Sequence, residues 1–286
     1  MTKQVQQLDR VIIRFAGDSG DGMQLAGDRF TQETATFGND LSTLPNFPAE
    51  IRAPAGTLPG VSSFQLHFAD HDILTPGDAP DVLVAMNPAA LKANLDDVPR
   101  GADIIANTDE FTKRNLAKVG YLANPLEDGS LEAYRLHAIP ITSVTVKALE
   151  DFDITRKDAE RAKNMFALGL LSWLYNRPVE GTFKYLDSRF AARPEILAAN
   201  KAAFRAGWNY GETTEAFSVQ YEVKPAPLTP GRAAGRGWRA ELGEPVTRPG
   251  RRSSRWRTPS ARPRRACARQ CRSRSGRGRV CARSPV

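Results

Sequence analysis

Short β-branched runs alternate with helical patterns over the first part of this 286-residue chain. That alternation predicts an α/β protein with a largely parallel sheet flanked by helices. Two observations add to it. Each candidate strand is bounded by Gly, Pro, Asn or Asp, the residues that end strands and open turns. From Asp158 onward the pattern turns wholly helical, predicting a C-terminal helical hairpin.

The elements follow in order. Val11 to Ala16 (VIIRFA) is an apolar, β-branched run ending at glycine, and predicts the first strand. Met23 to Phe37 carries helical spacing. Val61 to Phe68 alternates and predicts a half-buried strand. Asp81–Met86, Ala102–Ala106 and Tyr134–Ile139 are further short strands, with helices expected over Ala89–Leu95 and Ser143–Leu149. Asn87-Pro88 and Asn107-Thr108-Asp109 read as strand exits running into helix caps. Ala159–Tyr175, Val179–Phe190 and Pro194–Gly207 form the apolar-striped helical region. Packing of that region against the sheet edge is expected over a dimerisation or lid role.

Composition breaks at Thr229. Residues 229–286 hold 17 of the 40 basic residues, all arginine, and two of the 32 acids, so that stretch carries +15 and the first 228 residues carry −7. The pI of 9.6 therefore belongs to the tail. Residues 1–228 are expected to form one large domain, with a helical appendage at most. The tail, 229–286, has too few apolar residues to offset its ordering entropy and is expected to be disordered. One explanation is a basic arm that tracks phosphates. The other is a frameshifted segment, since Arg, Ala, Gly, Pro and Ser are what GC-rich codons yield out of frame. The absence of lysine among 17 basic residues favours the frameshift.

The longest apolar stretch, Met165 to Leu174, is about half the length of a membrane span, and Met1 to Arg10 has no apolar signal core. A cytoplasmic protein with no membrane association is expected. All three cysteines, Cys267, Cys271 and Cys281, lie in the tail. The body therefore has no thiolate nucleophile and no cysteine to hold an iron–sulfur cluster.

The strongest local motif is Gly17-Asp18-Ser19-Gly20-Asp21-Gly22, between a strand and a helix. Its glycines permit positive φ and close approach of a ligand, and the helix N-terminus offers N–H groups to an anion. The G-x-x-G-x-G spacing reverses the dinucleotide fingerprint, and Asp18 and Asp21 put negative charge where a pyrophosphate would sit, which disfavours NAD. Gly20-Asp21-Gly22 with Asn46 downstream is a weak match to a thiamine-diphosphate magnesium motif. A plain helix-capping turn is the competing reading. The second constellation is Leu44 to Gly60, a loop with four prolines in which Glu50 and Arg52 are the only charges. Arg52 suits a phosphate or carboxylate, or else simply pairs with Glu50. His67, His71 and His137 form no metal-ligand pattern and read as structural. No metal site is expected.

Seven ordered segments carry a family resemblance. They are Val11–Phe30, Phe47–Thr57, Ser62–His67, Asp81–Asn87, Ile139–Thr145, Lys163–Gly169 and Asn209–Glu215. Together they resemble the 2-oxoacid:ferredoxin oxidoreductases, and more narrowly the α subunit of the two-subunit 2-oxoglutarate enzyme, whose N-terminal part is a γ-type domain. The resemblance covers about residues 8–228. It implies an oxidoreductase that converts a 2-oxoacid and coenzyme A to an acyl-CoA and CO2 and passes two electrons to ferredoxin. It further implies that the γ-type domain is associated with coenzyme A and assembly. Thiamine diphosphate, Mg2+ and the iron–sulfur cluster would belong to the complete complex, not to this chain. The partner would be the β subunit, and ferredoxin would be reached through it.

On that reading Gly17, Ser19, Gly20, Asp21 and Gly22 face the ligand together with Arg52, and Glu50 orients Arg52. No catalytic residue is expected in this chain, which would be inactive alone because the sequence departs from the family after Pro225–Gly231. The alternatives from other classes are a stand-alone nucleotide-binding module and a nucleic-acid binder acting through the basic tail. Nucleic acid is disfavoured.

Overall fold

The computed structural model describes residues 3–50 and 53–227. The arginine-rich tail and its expected disorder lie outside the described residues. Eight strands and eight helices are found among the described residues. They are β1 (Gln4–Gln7), β2 (Arg10–Asp18), α1 (Met23–Phe37), β3 (Asp40–Asn46), β4 (Val61–Ala69), β5 (Val82–Ala85), α2 (Pro88–Asn94) and β6 (Asp103–Asn107). There follow α3 (Lys113–Lys118), β7 (Arg135–Ile139), α4 (Ile141–Ala148), α5 (Arg156–Arg161), α6 (Lys163–Leu174), α7 (Glu180–Arg189), α8 (Pro194–Thr213) and β8 (Val219–Glu222).

Six strands form one sheet in the order β3-β4-β2-β5-β6-β7. β2, β5, β6 and β7 are mutually parallel, while β4 runs antiparallel to both β2 and β3. The chain leaves β2 through α1 toward β3 on one side, and leaves β5 through α2 toward β6 on the other. The carboxyl ends of β2 and β5 thus border a crevice where successive crossovers diverge, the place where open α/β sheets bind ligands. A separate pair, β1 and β8, joins the two ends of the described chain in parallel.

The sheet is covered on both faces. Alternation along β2 sends Val11, Ile13 and Phe15 into a core shared with Met23 and Phe30 of α1 and Phe166, Leu170 and Trp173 of α6. Ala16 belongs to the opposite core, with Leu83, Ala90, Leu91 and Ile104. This double covering corrects the expectation for Val61–Phe68. That strand is buried along nearly its whole length, because residues 75–77 close over the face that alternation marks as exposed, with Gln65 donating to the Pro76 and Gly77 carbonyls and His67 meeting that of Thr75.

Three further differences have identifiable causes. The expected helix Ala159–Tyr175 is divided at Ala162 into α5 and α6. α6 is buried all around and lies on the sheet face rather than its edge. It packs against α8 through glycines: a Cβ on Gly169 would stand 2.0 Å from the Phe204 carbonyl oxygen, and one on Gly207 would stand 1.9 Å from that of Phe166. The Leu44–Gly60 loop begins later than expected, since β3 continues to Asn46. Pro45 is tolerated because β3 is an edge strand.

Candidate functional site

Gly22 adopts φ 73°, and its N-cap position brings no side-chain hydrogen bond to the start of α1. A side chain there would be strained, and its Cβ would stand 2.3 Å from Asn164 Nδ2. The chain turns between β2 and α1 through a hydrogen bond from the Asp21 N–H to the Asp18 carbonyl, 2.9 Å, and Asp21 Oδ2 accepts the Asp18 N–H at 2.9 Å. The tip of this turn, Ser19 and Gly20, is exposed, and nothing lies within 4 Å of a Cβ built on Gly20.

The two aspartates point their charge inward. Asp21 Oδ1 pairs with Lys163 Nζ at 2.9 Å, and Lys163 also reaches Glu110 at 3.6 Å. Burial by itself would lower the Lys163 pKa, but Asp21 and Glu110 overcome it, so the net shift is upward and the ammonium stays charged. Asp18 Oδ2 accepts the Gly56 N–H at 2.7 Å, which fastens the proline-rich loop to the glycine turn. Lys118 holds the same loop through the Ala55 carbonyl at 3.1 Å. Burial, reinforced by Asp21, raises the Asp18 pKa above the usual carboxylate range; the Gly56 N–H, Asn87 and Lys163 act in the opposite direction and do not offset it. Asp18 Oδ1 is buried without a hydrogen-bond partner.

The loops leaving the other parallel strands meet at this same sheet edge. Asn87 caps α2 through the Ala90 N–H, 2.8 Å, as its sequence context predicts. Asn107 does not cap the turn that follows it. It donates instead to Thr142 Oγ1 at 3.0 Å, tying the β6 exit to the start of α4. Asp109 accepts from the Ser143 N–H and hydroxyl at 2.7 and 2.6 Å. Five of the resembling segments, far apart in sequence, thus converge on one edge.

The expected site residues divide as follows. Ser19 and Gly20 face outward. Gly17 is packed against Asp21 and Met23, and Asp21 and Gly22 shape the turn from within. Glu50 is exposed, and Arg52, with its expected pairing to Glu50, lies outside the described residues. Asp21 does not suit a thiamine-bound magnesium ion, because the Lys163 ammonium already supplies its counter-charge; Asn46 is exposed, and its carbonyl accepts from Gln24. The histidines have structural partners: His67 meets the Thr75 carbonyl, His71 meets Asp70, and His137 bonds Asp103 and stacks on Phe217 at 4.3 Å. Among the described residues no group of three or more His, Cys, Asp or Glu could hold a metal ion, and no helix is long and apolar enough to cross a membrane. Sequence reasoning missed Lys163 as a site residue. Its place in the Lys163–Gly169 segment was the available clue, but only folding reveals that the two aspartates need a buried cation.

An exposed glycine turn and a helix N-terminus without a side-chain cap thus meet at the crossover point of an open α/β sheet, the place where such sheets bind ligands. Residues 12–210 match the model of the pyruvate ferredoxin/flavodoxin oxidoreductase family, and the chain belongs to that family. It is 65% identical over 226 residues to the 2-oxoglutarate oxidoreductase subunit KorA of Mycobacterium tuberculosis, an alignment covering 79% of this chain and 35% of that protein. The chain thus spans about a third of the length of the curated relative it matches. Its fold is similar to that of the 2-oxoglutarate:ferredoxin oxidoreductase from Magnetococcus marinus, solved with 2-oxoglutarate, coenzyme A and succinyl-CoA bound, with a TM-score of 0.58 at 24% identity over 77% of this chain and 34% of that one.

Proposed function

We propose that this chain supplies the coenzyme A-associated, γ-type domain of a cytoplasmic 2-oxoacid:ferredoxin oxidoreductase. The enzyme converts 2-oxoglutarate, or a related 2-oxoacid, and coenzyme A to the acyl-CoA and CO2, with two electrons passing to ferredoxin by way of a β subunit. The observation that carries this reading is the 65% identity to a 2-oxoglutarate oxidoreductase subunit. The glycine turn supports it. Because Lys163 draws Asp21 inward, the outward face of the turn presents Ser19, Gly20 and the free N–H groups of α1, which suit a phosphate. Arg52 and the neighbouring Glu50, on the loop that Asp18 ties to this turn, are proposed to complete the contact. Thiamine diphosphate supplies the electron sink for decarboxylation in the complete complex, and the residues of this turn do not fit it.

Calorimetric titration of the chain with coenzyme A tests the reading. A Kd nearer millimolar than micromolar is expected, about −4 to −6 kcal/mol, since one turn and one loop offer few contacts. Gly20→Asp places a carboxylate in the open approach and should abolish binding. Unchanged affinity in Arg52→Ala would remove that residue from the site. No heat of binding from the intact chain would withdraw the coenzyme A contact and leave assembly with the β subunit as its role.

A further inference from the structure

At the edge of the sheet opposite the glycine turn, the amino ends of β2, β5, β6 and β7 border a cavity of about 200 Å3 beside the β1 and β8 pair. Arg10 opens β2, Asp81 precedes β5, and Asp103 and Arg135 open β6 and β7. All four line the cavity, as do Tyr175, just after α6, and Tyr221 of β8. Tyr175 is 2% exposed. Phe30 and Phe68 meet its ring edge to face, and Tyr221 stacks on it with centroids 5.8 Å apart, so its hydroxyl end is the part left to face the cavity. The charges acting on that hydroxyl, Asp103, Asp81 and Arg135, all lie on the lining, and Asp103 and Arg135 act on the Tyr221 hydroxyl too. Burial, reinforced by Asp103, raises the pKa of both phenols, so both remain donors. Neither hydroxyl makes a hydrogen bond among the described residues, although a buried tyrosine hydroxyl usually finds a partner. The charged groups are only partly engaged. Asp103 accepts from Arg135 Nε and Nη2 at 2.9 and 2.7 Å and from His137 Nε2 at 2.9 Å, which leaves Arg135 Nη1 over. Asp81 Oδ2 accepts the Ile12 N–H at 2.8 Å, which leaves Oδ1 over, and the exposed Arg10 has no ion pair among the described residues.

We propose that this cavity is a second ligand site, distinct from the glycine turn, which binds a small zwitterion, a free α-amino acid. The ligand carboxylate accepts from the two arginines and the two phenols, and its ammonium is met by Asp81. Two arginines and two aspartates give the lining no net charge. A carboxylate alone would face Asp81 with nothing to offer it, and an ammonium alone would face the arginines, whereas a molecule carrying both groups satisfies the donors and the acceptor together. The volume is that of about seven water molecules, which suits an amino acid with a short side chain. The site lies at the opposite end of the strands from the proposed coenzyme A contact and stands whether or not that contact does.

L-Alanine is a suitable probe, with propionate and ethylamine, each lacking one of its two charged groups, as controls. Calorimetric titration of the full chain at neutral pH should give a saturable heat with L-alanine, and propionate and ethylamine should bind at least tenfold more weakly. Asp81→Asn keeps an oxygen for the Ile12 N–H, and Arg10→Gln removes an exposed cation that holds no ion pair, so both should retain the fold by circular dichroism while losing at least tenfold in L-alanine affinity. Should Asp81→Asn fail to fold, the Arg10→Gln chain and the two controls decide the matter. Saturating coenzyme A should leave the L-alanine affinity unchanged. No saturable response to L-alanine, equal affinity for propionate or ethylamine, or full retention of L-alanine affinity in a folded Arg10→Gln or Asp81→Asn chain would overturn the proposal. A response to L-alanine that coenzyme A competes away would place the amino acid at the glycine turn instead and overturn it equally.

Discussion

Replacing Lys163 by methionine removes a charge and leaves the methylene stem in place, so the loss isolates the ion cluster beneath the glycine turn. The Lys163 ammonium lies 2.9 Å from Asp21 and 3.6 Å from Glu110, with side-chain exposures of 11%, 14% and 33% for Lys163, Asp21 and Glu110. At an effective dielectric of 20, a 2.9 Å contact is worth about 6 kcal/mol before desolvation is counted. Desolvating the ammonium offsets several kcal/mol of this, and removing one partner of a buried pair typically costs about 3–5 kcal/mol. Both carboxylates reach some water, which places Lys163→Met near the lower end, about 3 kcal/mol. For a body of this size that is a fall of about 6–12 °C in Tm. Thermal unfolding followed by circular dichroism at neutral pH measures it. Asp21→Asn in the same chain removes the orphaned charge and keeps an oxygen for the Asp18 N–H, so the double variant should regain more than half of the loss. A Lys163→Met chain within about 2 °C of the parent, or no recovery in the double variant, would refute the view that the lysine holds the turn by charge.

Other expectations follow from single contacts. Asp18 has a raised pKa in the folded state, so its contribution to stability is fully present below the unfolded carboxylate value and is lost as pH rises through the folded one. Asp18→Asn, which still offers an oxygen to the Gly56 N–H, should therefore be more stable than the parent at pH 7, with the difference fading toward about pH 4; urea titrations at both values check this, and a constant difference would contradict it. Gly207→Ala drives a methyl into the Phe166 carbonyl at 1.9 Å and should cost about 3 kcal/mol despite the better helix propensity of alanine, read as a lower denaturation midpoint at unchanged slope. Translation of the coding DNA in the other two frames beyond codon 229 should yield a long apolar, glycine-rich reading frame if the arginine-rich composition is a frameshift; stops in both frames would favour the basic arm.

The sequence by itself determined the layer order of this protein. The β-branched runs at Val11–Ala16, Asp81–Met86 and Ala102–Ala106 lie within or across β2, β5 and β6, and Met23–Phe37 coincides with α1, because local periodicity and turn residues are properties of neighbours along the chain. The Gly17–Gly22 turn was legible for the same reason, as was the family, carried by ordered segments rather than by any contact. What the tertiary structure decided is whatever depends on residues far apart in sequence. β1, β3 and β8 carry weak patterns, and they are strands because partners supply their hydrogen bonds. Asp21 has its counter-charge inside the protein only because folding brings Lys163, 142 positions later, to within 2.9 Å of it. Arg177 reads locally as an ordinary polar residue between two helices, and it is the folding of Phe37 and Phe68 around it that leaves its nitrogens buried and unpaired. Charge compensation and burial act through space, at distances the chain order does not encode.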